Sequence, residues 1–216
     1  MSEPFNDSLY ECLLITEDEF KTITEIKVDG NPTLKTDLPE LTRLETFHKG
    51  VEAFYRKTNN GWQLNWKKEK GQYIGGNIEF AETRHLFANT ETFGFYDEDT
   101  DEDADIRFFH PFDYCSPETC VGFIIKPETI YQSVYYMNGD YELSNLDLDF
   151  QGYTQMAVEA RVFNHWQIVL LYYMGDIDLG ASETETFKTE MPKIFANWTW
   201  ENFIEKFESL RLSKNP

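Results

Sequence analysis

The sequence LSNLDLDFQGYTQMAVEARVFNHWQIVLLYY spans residues 143–173 and combines two apolar patterns. In its first half, apolar side chains recur at steps of mostly three residues, which places them on one face of an α-helix. These residues are Phe150, Tyr153, Met156, Ala157, Ala160 and Phe163. Asp147 and Asp149 precede them, where carboxylates cap free amides and oppose the helix dipole. Residues 168–173 form an unbroken apolar run rich in β-branched and aromatic side chains, which predicts a strand. Together these patterns predict a helix and a strand at the centre of the core.

Elements before this stretch follow from the same periodicities. Apolar residues between 38 and 55 recur every three or four positions, which predicts one amphipathic helix or two helical pieces broken at Gly50. His48 lies one step off that stripe, so we expect it on the surface. Trp62, Leu64 and Trp66 alternate with polar residues, as in a strand with one buried face. Nearer the N-terminus, residues 16–27 are predicted to be helical, with a turn at residues 28–32.

The remaining segments complete an α+β pattern. Strands are predicted at residues 73–80 after a glycine-rich bend, at 106–111 and at 121–125, with a hairpin turn at Asn138-Gly139. Residues 175–191 are polar and predict a loop. Trp200, Phe203, Ile204 and Phe207 share one face of a closing helix that Thr199 caps. We therefore predict a single domain over residues 1–216, a mostly antiparallel sheet packed against helices, with an acidic loop or insertion near residues 96–106.

The charge of the chain is strongly negative and unevenly placed. The 216 residues carry a net charge of −20, and residues 1–84 account for −4 of it against −16 in residues 85–216. Such a field repels phosphates, which argues against binding to nucleic acid or an anionic membrane. It attracts a basic protein and accelerates the encounter with one. The alternative is that the acidity only keeps the protein in solution.

The cysteines and the N-terminus point to a reducing compartment. Cys12, Cys115 and Cys120 are an odd number, and the sequence shows no secretory leader and no apolar run of transmembrane length. A cytoplasmic location is therefore expected. Cys115 and Cys120 have no second pair of ligands at zinc spacing, so we expect neither a metal nor another cofactor.

One run of carboxylates is the main candidate for a binding surface. Residues 97–105 hold seven acidic side chains in nine positions, without the glycine and the terminal glutamate of a helix-loop-helix calcium site. Three interpretations stay open: a solvated loop, a weak calcium site, or a surface that docks a basic partner. The candidate partner-binding residues are Phe95, Tyr96, Asp97, Glu98, Asp99, Asp101, Glu102, Asp103, Asp105 and Tyr114.

Four segments, taken in order, carry a family resemblance. They are AFYRKTNNGWQLNW at residues 53–66, the strand pair before Asp147, LDFQGYTQMAVEARVFNHWQIVL at residues 148–170, and WENFIEKF at residues 200–207. They resemble the SUKH superfamily of Smi/Knr-like cell-wall-synthesis regulators and bacterial toxin-immunity proteins. The third segment carries most of the resemblance, because it matches the family at Phe150, Gly152, Tyr153, Arg161 and Trp166. The resemblance covers most of the chain from about residue 38, and residues 97–105 look like an insertion.

The resemblance implies an α+β fold that binds and neutralises a toxin, often a nuclease, without catalysis. We therefore expect a non-enzymatic, immunity-type protein that occludes a basic toxin domain, or alternatively a regulatory scaffold in a cell-wall or signalling pathway. A carboxylate-based hydrolase is the rival class, with Asp147 and Asp149 or Asp176 and Asp178 as its acidic pairs. The sequence has no HExxH, no GxSxG and no cysteine with an evident histidine partner, which disfavours that class.

Overall fold

The computed structural model describes residues 23–30, 39–57, 62–68, 74–175 and 180–214. In these residues the strands are β1 (Ile23–Gly30), β2 (Trp62–Lys68), β3 (Gly75–Phe80), β4 (Phe109–Ser116), β5 (Thr119–Ile124), β6 (Tyr135–Met137) and β7 (Leu143–Asn145). The helices are α1 (Pro39–Glu45), α2 (Val51–Lys57), α3 (Thr83–Leu86), α4 (Phe150–Glu159), α5 (Trp166–Met174), α6 (Ala181–Ile194) and α7 (Trp200–Leu210). The strands are ordered from β1 to β7 as in the chain, and each pair from β3 to β7 is antiparallel. The predicted α+β fold class is thereby confirmed.

The described residues group into two compact units. One draws on the described residues within Met1–Asp29, Gln63–Ile78 and Gly152–Pro216, and the other on those within Gly30–Trp62 and Glu79–Gln151. We call them the helical unit and the sheet unit, because α5, α6 and α7 lie in the former and β4 to β7 in the latter. The prediction of a single domain over residues 1–216 stays a prediction.

The sheet unit has a core of aromatic rings in edge-to-face and tilted contact. Phe150 lies 5.3 Å from Phe112, 5.6 Å from Phe54 and 6.0 Å from Phe123, measured between ring centroids. Phe112 and Phe123 belong to adjacent strands, where alternation directs every second side chain to the same face. The predicted hairpin is confirmed, since β6 and β7 pair Tyr135 with Asn145 around the Asn138-Gly139 turn.

Two short helices replace one long helix at residues 39–57. Gly50 separates α1 from α2 with φ +86°, a left-handed conformation that glycine adopts without steric cost. The alternative of two helical pieces is confirmed. The prediction that His48 lies on the surface is wrong, because its side chain is 0% exposed and its ring packs 4.5 Å from that of Phe123. His48 lies after the end of α1, in the turn that leads to Gly50. The helical spacing of apolar residues therefore does not predict whether its side chain is buried.

The stretch from Phe150 onward has the predicted amphipathic face and then departs from expectation. All six residues of the predicted face are buried, but the helix ends at Glu159, and Arg161 and Val162 are left-handed, at φ 52° and 47°. The predicted strand at residues 168–173 is wrong, because these residues belong to α5. A short apolar run fits a buried helix as well as a buried strand. Here α5 packs against α6, which lets it bury most of its circumference.

Three further predictions change in the structure. The predicted loop at residues 175–191 is wrong from residue 181 onward, because α6 buries Thr184, Phe187, Met191 and Ile194 at helical spacing. The predicted helix at residues 16–27 is wrong for residues 23–27, which lie in β1, while residues 16–22 lie outside the described part. β1 also continues through Gly30, where a turn was predicted. The predicted strand at residues 73–80 is confirmed over Gly75–Phe80, which form β3, while the bend predicted before it lies outside the described residues. The closing helix and its cap are confirmed, since the Asn202 amide donates to Thr199 Oγ1.

Candidate functional site

The acidic run forms an ordered surface segment of the sheet unit. Residues 97–104 make successive turns and lead into a 3-10 helix at Asp105–Phe108. The six carboxylates before Asp105 are exposed, whereas Asp105 is half-buried. The exposed members are Asp97, Glu98, Asp99, Asp101, Glu102 and Asp103. We call residues 97–105 the acidic segment.

Arg107 fixes the backbone of the acidic segment through hydrogen bonds to its carbonyl oxygens. Its Nη2 donates to the carbonyl oxygens of Asp97 at 3.3 Å and Thr100 at 2.5 Å, and its Nε donates to that of Asp101 at 3.0 Å. The same guanidinium lies over the ring of Tyr96, with 4.7 Å from Cζ to the centroid. A planar fork with five donors is suited to gathering several carbonyls at once. The arginine therefore fixes the backbone and leaves the carboxylates facing outward.

Lys126 secures the far end of the segment. Its ammonium lies 2.7 Å from Asp105 Oδ1 and donates to the Asp103 carbonyl at 3.0 Å. The hydrogen bond to Asp105 raises the pKa of Lys126 above its ordinary value. Tyr131 also donates its hydroxyl to Asp105 at 3.2 Å. Asp105 is therefore a structural anchor, while the other six carboxylates of the segment are exposed on the surface.

The three predicted aromatic residues pack partly into the fold. Phe95 lies 6.1 Å from Phe109 between ring centroids, and the Tyr96 hydroxyl is 3.2 Å from Thr90 Oγ1. Phe95 and Tyr114 both pack against a buried cluster on β4, β5 and β6, whose members are Phe109, Cys120, Ile124 and Met137. Burial, together with the charges of Cys120 and Glu79, raises the pKa of Tyr114. These half-buried rings thus attach the acidic segment to one face of the sheet.

Sequence reasoning missed Tyr141, which lies beside the acidic segment. Its side chain is 51% exposed, and its ring centroid lies 6.0 Å from that of Phe95. The residue follows the Asn138-Gly139 turn and has φ 63°, which is unusual for a bulky residue. A hairpin prediction places an aromatic residue at a loop tip. It does not predict that Phe95, more than forty positions earlier in the sequence, packs beside that aromatic residue.

The basic residues near the acidic segment were a second missed signal. Between residues 85 and 151 the chain has 15 aspartates and glutamates, but Arg107 and Lys126 are its sole arginine and lysine. Both are engaged with the acidic segment, through backbone carbonyls and Asp105. Within this stretch the acidic side chains therefore greatly outnumber the basic ones.

Histidine, cysteine and acidic side chains are the groups on which a metal site or catalysis would depend. Among the described residues, no three histidine, cysteine, aspartate or glutamate side chains converge as metal ligands. Cys120 is buried, and burial with the charge of Asp113 raises the pKa of its thiol to about 12, so it carries no thiolate near neutral pH. Asp147 has φ 57° and its amide donates to Asn145 Oδ1, which is turn geometry. The other predicted acidic pair, Asp176 and Asp178, lies outside the described residues.

Comparisons with known proteins add no assignment. Searches against protein-family models, curated proteins and solved structures find no match to this chain. In the described part, none of the helices combines the length and apolar composition that crossing a bilayer requires.

Proposed function

We propose that this chain is a cytoplasmic, non-enzymatic, immunity-type protein that neutralises a basic toxin by occluding its active site. The observation that carries the proposal is the acidic segment, whose backbone is fixed by Arg107 while six of its seven carboxylates remain exposed. The resemblance of four segments to the SUKH superfamily supports the immunity-type role. The uneven charge, −16 in residues 85–216, supports a basic partner.

The mechanism is electrostatic docking followed by steric exclusion. Carboxylates on a rigid backbone engage lysine and arginine side chains around the partner's active site, and they lose little conformational entropy on binding. Complementary charge accelerates the encounter and selects basic partners, whereas aromatic contacts contribute most of the affinity at the centre of an interface. Catalysis by the toxin then stops because its substrate no longer reaches the site.

The test uses the product of the gene adjacent to this one, purified and assayed for its own activity. We expect stoichiometric inhibition by the full chain and protection of cells that produce both proteins. Activity of the partner that is unchanged at saturating chain would overturn occlusion. Association with several unrelated proteins, without inhibition of any, would instead support a regulatory scaffold in a cell-wall or signalling pathway.

A charge-matched pair of variants locates the binding face. Replacing Glu98→Gln, Asp99→Asn and Glu102→Gln removes three exposed carboxylates from the acidic segment, and we expect about ten-fold weaker binding at low ionic strength. The control replaces three exposed glutamates of α6 and α7: Glu185→Gln, Glu201→Gln and Glu205→Gln. Both triple variants have the same net charge. Equal weakening in the two would show that total charge, rather than the acidic segment, drives binding.

A further inference from the structure

An exposed group of aromatic rings lies beside the acidic segment in the sheet unit. The ring centroids of Phe93 and Phe95 are 5.4 Å apart in a stacked arrangement, and that of Tyr141 lies 6.0 Å from Phe95. Phe93 and Phe95 are half-buried, while Tyr141 is among the most exposed large side chains of the described residues. We call Phe93, Phe95 and Tyr141 the aromatic ledge. Neighbouring residues of the sheet unit hold these rings in place.

The supports of the aromatic ledge lie in the backbone and in the sheet. Asn138 organises the hairpin tip, since its Oδ1 accepts from the amides of Asp140 and Glu142, both at 2.9 Å. The Tyr141 amide donates to the Asn138 carbonyl at 3.1 Å. Phe95 in turn rests on Phe109 of β4. Tyr141 therefore presents its ring from a fixed backbone, so little entropy is lost when a ligand contacts it.

The charges around the aromatic ledge select its ligand. Asp140 and Glu142 flank Tyr141, and Asp97 and Glu98 follow Phe95 after a single intervening residue. Arg107 is already placed over Tyr96 and beneath the acidic segment. Among the described residues, no lysine or arginine head lies over the three rings of the ledge. Aromatic faces bordered by carboxylates favour a cation, and a guanidinium stacks on such faces better than an ammonium does.

We propose that the aromatic ledge is the docking site for an arginine-containing basic segment of the protein partner. One guanidinium stacks on the Tyr141 ring, and neighbouring basic side chains pair with the carboxylates on either side. This inference rests on the proposed function and names the side chain that the partner inserts. It also explains why a bulky residue occupies a left-handed position at an exposed hairpin tip, where asparagine or glycine is ordinarily found.

The experiment measures binding of a fluorescent peptide of alternating arginine and glycine to the full chain by anisotropy at low ionic strength. The informative variant is Tyr141→Asn, because asparagine tolerates the left-handed conformation and lacks the ring. We expect about three- to ten-fold weaker binding, the range of a cation–π contact that is partly shielded from water. The control is Tyr172→Gln, which removes a tyrosine of similar exposure from α5 and leaves binding unchanged.

Two further peptides define the chemistry. Replacing arginine by citrulline removes the charge and keeps the shape, and we expect binding to be lost. Replacing arginine by lysine keeps the charge, and we expect weaker binding in which the penalty of Tyr141→Asn shrinks. Equal affinity of the wild-type chain and Tyr141→Asn for the arginine peptide would overturn the inference, as would a failure of the wild-type chain to bind it.

The two proposals fail in different ways. Loss of peptide binding in the triple variant of the acidic segment, with no effect of Tyr141→Asn, overturns the role of the aromatic ledge and leaves acidic docking intact. Weaker binding in Tyr141→Asn supports the ledge even where the adjacent gene product keeps its activity in the presence of the chain. That second pattern overturns the proposed inhibition by occlusion, and it leaves the proposed role of the aromatic ledge intact.

Discussion

Arg107 is a single residue that organises a whole surface. Its guanidinium donates to the carbonyls of Asp97, Thr100 and Asp101 and lies over the ring of Tyr96. A loop has no strand partner for its backbone carbonyls, and here one side chain provides the donors instead. The chain itself thereby supplies a cation to the inner side of the acidic segment. That arrangement favours docking of a partner over a calcium site, because carbonyls that a metal would use already have a donor.

We predict that Arg107→Gln loosens the acidic segment. The loss of charge-assisted hydrogen bonds lowers the free energy of unfolding by about 1–2 kcal/mol, and amides of Thr100 and Ala104 exchange faster. Urea denaturation and hydrogen exchange measure the two effects. Arg84→Gln is the control, because the Arg84 side chain is 72% exposed and pairs with the neighbouring Glu82, so its loss changes stability by less than about 0.5 kcal/mol. Slow exchange retained in Arg107→Gln would contradict the role of the arginine.

His48 is a second residue whose environment predicts a measurable property. Its Nε2 donates to the Tyr131 carbonyl at 2.8 Å, so Nε2 carries the proton of the neutral ring. Its Nδ1 is buried and has no hydrogen-bond partner among the described residues. Protonation would place an unpaired charge in the core, and burial accordingly lowers the pKa of His48 from 6.5 to about 4.

We predict an acid-induced loss of stability that depends on His48. The folded state disfavours the proton, so the stabilisation is complete above the unfolded pKa of 6.5 and falls as the pH decreases towards 4. The total loss over this interval is about 3 kcal/mol. His48→Gln, which retains a donor for Tyr131, flattens the curve of unfolding free energy against pH between these limits. His165→Asn, at an exposed position, keeps the acid loss because His48 is still present. The same slope in His48→Gln and the wild type would refute this account.

At the scale of elements, the connection between α4 and α5 organises the helical unit. Arg161 and Val162 are left-handed, and their carbonyls accept from the Trp66 indole at 2.6 Å and the Asn77 amide at 2.8 Å. The Trp198 indole donates to the Glu159 carbonyl at 3.1 Å. A bend of this kind exposes carbonyls that no helix satisfies, and tryptophan side chains and β3 provide the donors. The turn therefore depends on residues distant in the sequence.

Gly76 of β3 is the position where this arrangement allows no side chain. A Cβ there would overlap the Trp66 indole and lie 2.5 Å from the Val162 carbonyl oxygen. We predict that Gly76→Ala lowers the free energy of unfolding by about 2–4 kcal/mol, because a large buried ring and the backbone must both shift. Gly139→Ala is the control, since a Cβ at that position meets only Glu118 at 3.7 Å, and its effect stays within about 0.5 kcal/mol. Urea denaturation compares them, and similar midpoints for both variants would contradict this packing.

At the scale of the whole molecule, the excess of negative charge has a cost that salt relieves. The net charge is −20, and the exposed carboxylates of the acidic segment repel one another. Mobile ions screen such interactions beyond about 10 Å at moderate ionic strength. A binding surface of a single sign is therefore stabilised in solution by counterions and, under the proposed function, by the basic partner.

We predict that the melting temperature rises by about 3 °C when the ionic strength increases from a very low to a physiological value, which corresponds to roughly 1 kcal/mol for a chain of this size. The triple variant Glu98→Gln, Asp99→Asn and Glu102→Gln shows a smaller rise, because it removes part of the repulsion. Scanning calorimetry in sodium chloride measures both. A melting temperature independent of salt would show that repulsion within the native state is negligible.

The sequence by itself determined features that depend on neighbours along the chain. The buried face of α4, the alternating residues of β2, the Asn138-Gly139 hairpin and the Thr199 cap each depend on spacings of a few residues, which periodicity and turn chemistry report directly. The acidic run was equally visible, because charge density is a property of composition. These features established the α+β class and pointed to a candidate surface.

Only the tertiary structure decided the features that depend on distant contacts. Residues 168–173 belong to a helix that packs against α6, and His48 is buried because the chain turns at Gly50 and brings it beside Phe123. Tyr141 joins Phe95 because the sheet brings residues far apart in sequence together. The periodicity of a short apolar run fits a buried helix as well as a buried strand, and the role of an exposed ring depends on its neighbours in space. Packing between distant segments therefore settled what local pattern left open.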